Sequence, residues 1–139
     1  MGNRSFASTV GAIAVLLAVG QADAEVRSMT LDLGNSGDRA LRCLMVIAHF
    51  MSDELGTIAP GERLAVAFQR DDADGSLFVR SNDGRRKMIE NIVCGASDDW
   101  SQTRGDVPLL PLRSTHSPRA LITCRLGPRL TCVVTDSED

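Results

Sequence analysis

Leu121-Ile122-Thr123-Cys124-Arg125-Leu126-Gly127-Pro128-Arg129-Leu130-Thr131-Cys132-Val133-Val134-Thr135 is the stretch on which the reading of the fold turns. Two apolar, β-branched runs flank Gly127-Pro128, a pair that marks a turn. A loop over 127–129 makes the two runs a hairpin and sets Cys124 directly opposite Cys132, within bridging distance. The chain has four Cys, and pairing these two leaves Cys43 with Cys94. No Cys-x-x-Cys occurs, so the thiols suit neither a thioredoxin-type redox site nor a zinc ribbon. An even count of widely spaced Cys in an exported domain implies two disulfides. Loop-closure entropy gives about 2.6 kcal/mol for the short bridge and about 4 kcal/mol for the long one.

Upstream of that hairpin, short apolar runs alternate with turn signals roughly every ten residues. Residues 26–33 alternate in the manner of a half-buried strand. The run 41–51, Leu-Arg-Cys-Leu-Met-Val-Ile-Ala-His-Phe-Met, is apolar on both faces and reads as one central strand. Residues 53–61 hold the turn Ala59-Pro60-Gly61, and 63–69 alternate again. An acidic turn over 71–75 leads to a short strand at 76–80. Asn82-Asp83-Gly84 is a hairpin signal. Residues 86–94 fit either one helical face or a strand; the preceding turn and the β-branched residues favour the strand. Residues 95–106 read as a loop, and 107–112 as an edge strand broken by Pro111. The expected fold is all-β: a small disulfide-stapled β-sandwich (immunoglobulin-like) or small barrel of about seven to eight short strands.

The N-terminus carries an address. Arg4 precedes an apolar run from Val10 to Val19, and Ala22-Asp23-Ala24 has the form of a signal-peptidase site. Residues 1–24 are therefore expected to be a cleaved signal peptide and 25–139 a single exported β domain. The apolar run has about half the ~20 residues of a bilayer span, so no membrane span is expected after cleavage. No Cys at the cleavage site suggests a lipid anchor. The expected location is periplasmic or secreted.

The whole chain has 139 residues, 24% charged, and a formal net charge of -3. Losing Arg4 with Asp23 leaves that charge unchanged. Mild acidity excludes the electrostatics of nucleic-acid binding, and the apolar content excludes a disordered chain. After residue 24 there are three Phe, one Trp and no Tyr. That is too few aromatic platforms for sugar or single-strand binding.

Several groupings invite chemistry. Met45, His49 and Met51 fall on one face of the 41–51 run if it is a single strand. Thioether and imidazole are soft ligands that suit copper. Residues 45 and 49 lie about 13 Å apart along a straight strand, which leaves at most His49 and Met51 as ligands. Asp71-Asp72-Ala73-Asp74-Gly75 resembles the middle of a calcium loop, but Arg70 and Ser81 occupy its terminal ligand positions. His116 has hydroxyl neighbours without a Gly-x-Ser-x-Gly elbow. A hydrolase would have to rest on it and on carboxylates.

The clearest charge asymmetry is Arg104, Arg113, Arg119, Arg125 and Arg129, with Asp106 the sole acid among them. Trp100 stands beside it in a polar stretch. Trp100, Arg104, Arg113 and Arg119 are thus the candidate partner surface, since aromatic and Arg residues dominate interface energetics. The expected function is that of a non-enzymatic module that binds or assists another periplasmic protein, without a cofactor. The rival is a small periplasmic copper-binding or delivery protein centred on His49 and Met51.

Overall fold

The computed structural model describes Gly2 and residues 25–135, so the expected signal peptide lies outside the described residues. The strands are β1 (Val26–Asn35), β2 (Leu41–Ile47), β3 (Met51–Ile58), β4 (Arg63–Asp71), β5 (Leu77–Arg80) and β6 (Arg86–Ala96). There follow a one-turn helix α1 (Trp100–Thr103), β7 (Gly105–Val107), a 3-10 turn at Leu110–Arg113, β8 (Arg119–Leu126) and β9 (Leu130–Thr135). Their order is β3-β2-β6-β5-β4-β1-β8-β9, with β7 also on β6. Among the described residues only β1 and β8 pair in parallel.

The long strand β6 turns this ribbon into two layers. Its first residues pair with β5, Met88 opposite Phe78. Its later residues pair with β2 on one side and β7 on the other. Between these halves the register with β2 slips, Val46 facing Asn91 but Ile47 facing Ile89. An irregularity of this kind bends and twists a strand. The inward residues of β1 and β8 (Leu31, Leu33, Ile122) then share one buried core with Cys43, Met45, Ile92 and Cys94 of β2 and β6. β3 and β9 end the ribbon without pairing to each other, so the sheet does not close and the barrel alternative falls away.

Both expected bridges form. Cys124 faces Cys132 across β8 and β9, and Cys43 faces Cys94 across β2 and β6. Two disulfides fit an oxidising, extracytoplasmic compartment. Among the described residues no helix is long and apolar enough to cross a membrane.

Two buried polar side chains hold the ends of the layers. Asn35 Nδ2 donates to the carbonyls of Arg39 (2.7 Å) and Ile58 (2.9 Å), and Oδ1 accepts from Gly37 N. At the other end Arg70, 4% exposed, donates through Nη1 to the carbonyls of Leu112 and Thr115 and through Nε to Asp72. The 3-10 turn is thereby fastened onto β4.

The structure corrects the sequence reading in three places. The 41–51 run is not one strand: the chain reverses at 48–50, and what reads as a turn-bearing stretch from residue 53 is β3. The 107–112 strand is mostly absent, because Pro111 opens a 3-10 turn where the ring's fixed φ and missing N–H are tolerated. The 95–106 loop contains the end of β6, α1 and most of β7. Residues 86–94 are strand, as expected.

Candidate functional site

The reversal between β2 and β3 is built from residues that rarely make one. Ile47 pairs with Met51, leaving Ala48, His49 and Phe50 to turn the chain. His49 has φ 71° and Phe50 φ 62°. Each left-handed, non-glycine residue costs roughly 1–2 kcal/mol. Ala48 N donates to Met88 O at 2.9 Å, tying the turn to β6. Phe50 lies entirely in solvent at 103% relative exposure, and the next residue, Met51 (45%), and Met88 (37%) of β6, whose carbonyl Ala48 bonds, are exposed too. Exposed large apolar side chains at a turn are a contact feature.

Beside the tip runs an open groove of about 790 Å³, with His49, Met51 and Asp53 on one wall and the β5–β6 turn on the other. That turn supplies Arg80, Arg85, Arg86 and Lys87 against one acid of its own, Asp83. Phe78 is completely buried beneath it. The guanidinium carbons of Arg86 and Arg80 sit 4.4 and 5.4 Å from its ring centroid, which orients both cations. Arg80 donates to Gln69 Oε1 and Gly84 O, Arg86 to Asp71, and Arg85 to Asp83. Asp83 is held below the usual carboxylate range, first by the Ser81 hydroxyl and then by Arg85. Asp71 is held low first by Arg86. The basic wall is thus ordered, and its carboxylates stay ionised.

The expected ligand geometry changes with the turn. Met45 is a core residue opposite Asp53, whereas His49 stands in the turn and Met51 on the next strand. The three do not share one strand face, because the strand that would carry them is a hairpin. His49 and Met51 do line the same groove. Among the described residues no three His, Cys, Asp or Glu gather as a metal site.

The four residues of the expected partner surface separate into two pairs. Trp100 and Arg104 sit near Gly95, at the Leu41 end of the layers. Trp100 is half-buried, and its Nε1 donates to Arg42 O at 3.1 Å. The guanidinium carbons of Arg42 and Arg104 lie 5.8 and 5.4 Å from the Trp100 ring centroid, and Arg42 is itself paired with Glu54. Arg113 packs at Gly75, toward the opposite end. Arg119, at the start of β8, pairs with Asp32 at 2.8 Å. About 23 Å of strand separates the two ends of β8. His116 lines a pocket of about 240 Å³ with Leu112, Thr115, Ser117 and Arg119.

Comparison with known proteins finds no match. No family model fits the chain, and no curated protein or solved structure matches it significantly. Phe50 and the basic wall are the features the sequence reading passed over, whereas His49 and Met51 of the tip were singled out as ligands. Arg85-Arg86-Lys87, three consecutive basic residues after a strong turn, were the available signal. Phe50 carried none, hidden inside an apolar run.

Proposed function

We propose that the chain is an exported, non-enzymatic binding module of the periplasm that engages an acidic surface of another protein through the β2–β3 tip and its basic groove. The observation that carries this reading is Phe50, fully exposed at the apex of a turn whose backbone disfavours it. Strain that a Gly or Asn would relieve is retained where the side chain has work to do. Phe50 and Met51 supply the apolar anchor. Arg80, Arg85, Arg86 and Lys87 supply the complement to an acidic partner and set its approach. The test is a photo-crosslinking residue at position 50 in cells, with one at the also exposed Leu110 as control. One discrete cross-linked protein is expected at position 50, lost when Arg85 and Lys87 are changed to Glu. Equal labelling from both positions would contradict the reading.

Copper binding or delivery at His49 and Met51 is the second reading, and it rests on both residues lining the groove. Four cationic side chains against two carboxylates, Asp53 and Asp83, leave the groove net positive, which opposes a cation. Copper retained through dialysis by the native protein, and lost in His49→Ala, would put this reading first.

A further inference from the structure

Among the described residues the strand path ends at β3 and at β9, with three-residue β7 a short third edge on β6, and the two ends are not alike. β3 carries Asp53 and Glu54, and its pairing is interrupted by a register shift opposite Cys43 and Leu44. Charges and irregularities are the ordinary protection of an edge strand. β9, Leu-Thr-Cys-Val-Val-Thr, has no charge, no Pro and no bulge, and Val133 on its outer face is 61% exposed.

The backbone groups on that open edge can be assigned. Cys124 and Cys132 have Cα atoms 4.0 Å apart, the close spacing of a non-hydrogen-bonded antiparallel pair. Their N–H and C=O groups therefore point away from each other. Cys124 agrees: its carbonyl accepts from Ser36 N, on the side away from β9. In the turn, Gly127 N donates to Arg129 O, as the alternation requires. By the same alternation Leu130, Cys132 and Val134 direct their N–H and C=O groups outward. The side chains of Thr131, Val133 and Thr135 are exposed.

We propose that β9 pairs antiparallel with β9 of a second copy of this chain, about a two-fold axis through Cys132, joining two sheets into one. In that register Leu130 pairs with Val134 of the other copy, so every outward-facing residue finds a partner. Thr131 lies opposite Val133. The ends of the strand are complementary in charge: Arg129 precedes it, and the sequence continues as Asp136-Ser137-Glu138-Asp139. Antiparallel self-pairing brings Arg129 opposite Thr135 of the other copy at both ends, the residue at which the acidic sequence begins to follow. Parallel pairing would stack like charges. A single short strand per protomer makes a small interface, so the dimer is concentration-dependent.

Sedimentation velocity tests this on disulfide-intact protein secreted from the full-length chain. The native protein should shift from monomer to dimer between low micromolar and millimolar concentration. Thr131→Lys with Val133→Lys, which sets like charges opposite each other across the axis, should stay monomeric throughout with an unchanged melting temperature. Thr131→Lys with Val133→Glu should restore the dimer, because each Lys then faces a Glu of the other copy. A native protein monomeric to millimolar concentration would overturn the proposal. So would a dilysine variant that dimerises like the native protein, or a Lys/Glu variant that does not recover. If the dilysine variant fails to fold, Val134→Pro serves instead. It removes an outward N–H and leaves the hydrogen bonds to β8 intact, and the same loss of dimer is expected.

Discussion

His49 and Phe50 carry their side chains on a backbone suited to Asn and Gly, and this yields a prediction with two opposed signs. Phe50→Gly should raise unfolding stability by about 1 kcal/mol, since Gly enters the left-handed region without penalty. His49→Asn should add a smaller gain. Phe50→Gly should also abolish the partner contact, read with the photo-crosslinking residue moved to position 51. Denaturant unfolding beside the cross-linking experiment checks both; a loss of stability in Phe50→Gly would remove the strain argument. Asn35 gives the converse case. Its amide serves three backbone groups at once, so Asn35→Ala should cost about 2–3 kcal/mol by leaving buried polar groups unpaired. Neither role could be read from the residue's identity. A His-Phe pair has no turn propensity, and an Asn in a Gly-rich loop looks like any other loop residue.

At the scale of elements, the 3-10 turn at Leu110–Arg113 is held by one guanidinium. Arg70→Met should cost about 2–3 kcal/mol, because the Leu112 and Thr115 carbonyls lose their donor. Asp72 completes that clamp, taking Arg70 on Oδ1 and Arg27 on Oδ2. Its carboxyl is held below the ordinary aspartate range, chiefly by the Arg70 hydrogen bond and then by Arg27. A carboxylate lowered on folding stabilises fully above its unfolded pKa, about 4 for Asp. That contribution fades as pH falls through the lower folded value. Acid unfolding of the native protein should therefore steepen below about pH 4, and Arg70→Met should flatten that limb; an unaltered acid limb in the variant would count against the clamp. Elements with internal patterns were legible: the alternation in β1 and β4, the Asn-Asp-Gly turn and the terminal hairpin. The β2–β3 hairpin was not, since its turn, Ala48-His49-Phe50, has no Gly, Pro or Asn and continues the apolar run of β2, while the polar start of β3 has no strand-like alternation.

Across the whole molecule, the two disulfides divide the work of stapling. Cys43 and Cys94 are fully buried and join β2 to β6, where one layer passes into the other. Cys132 is only half-buried, on the open edge. Graded reduction followed by alkylation and mass measurement should open Cys124–Cys132 first. Loss of Cys43–Cys94 should destabilise more, by about 4 against about 2.6 kcal/mol in the loop-entropy account. Simultaneous opening of both bridges would contradict that ranking.

What the sequence by itself determined is local or combinatorial. Turn residues between alternating runs specify an all-β chain, and the register of one hairpin picks Cys124 with Cys132 and leaves Cys43 for Cys94. Tertiary structure decided the rest, because it depends on which distant segments meet. The Asn91/Ile89 slip in β6 folds one ribbon into two layers. Pairing of β3 with β2 sends His49 and Phe50 into a turn and opposes them to the Arg85–Lys87 wall some thirty-five residues away. The same long-range pairing draws Trp100 onto Arg42 and carries Arg119 to Asp32, so charges that cluster in sequence disperse over the surface. Periodicity reports which face of a segment is buried; it carries no information about which other segment lies against it.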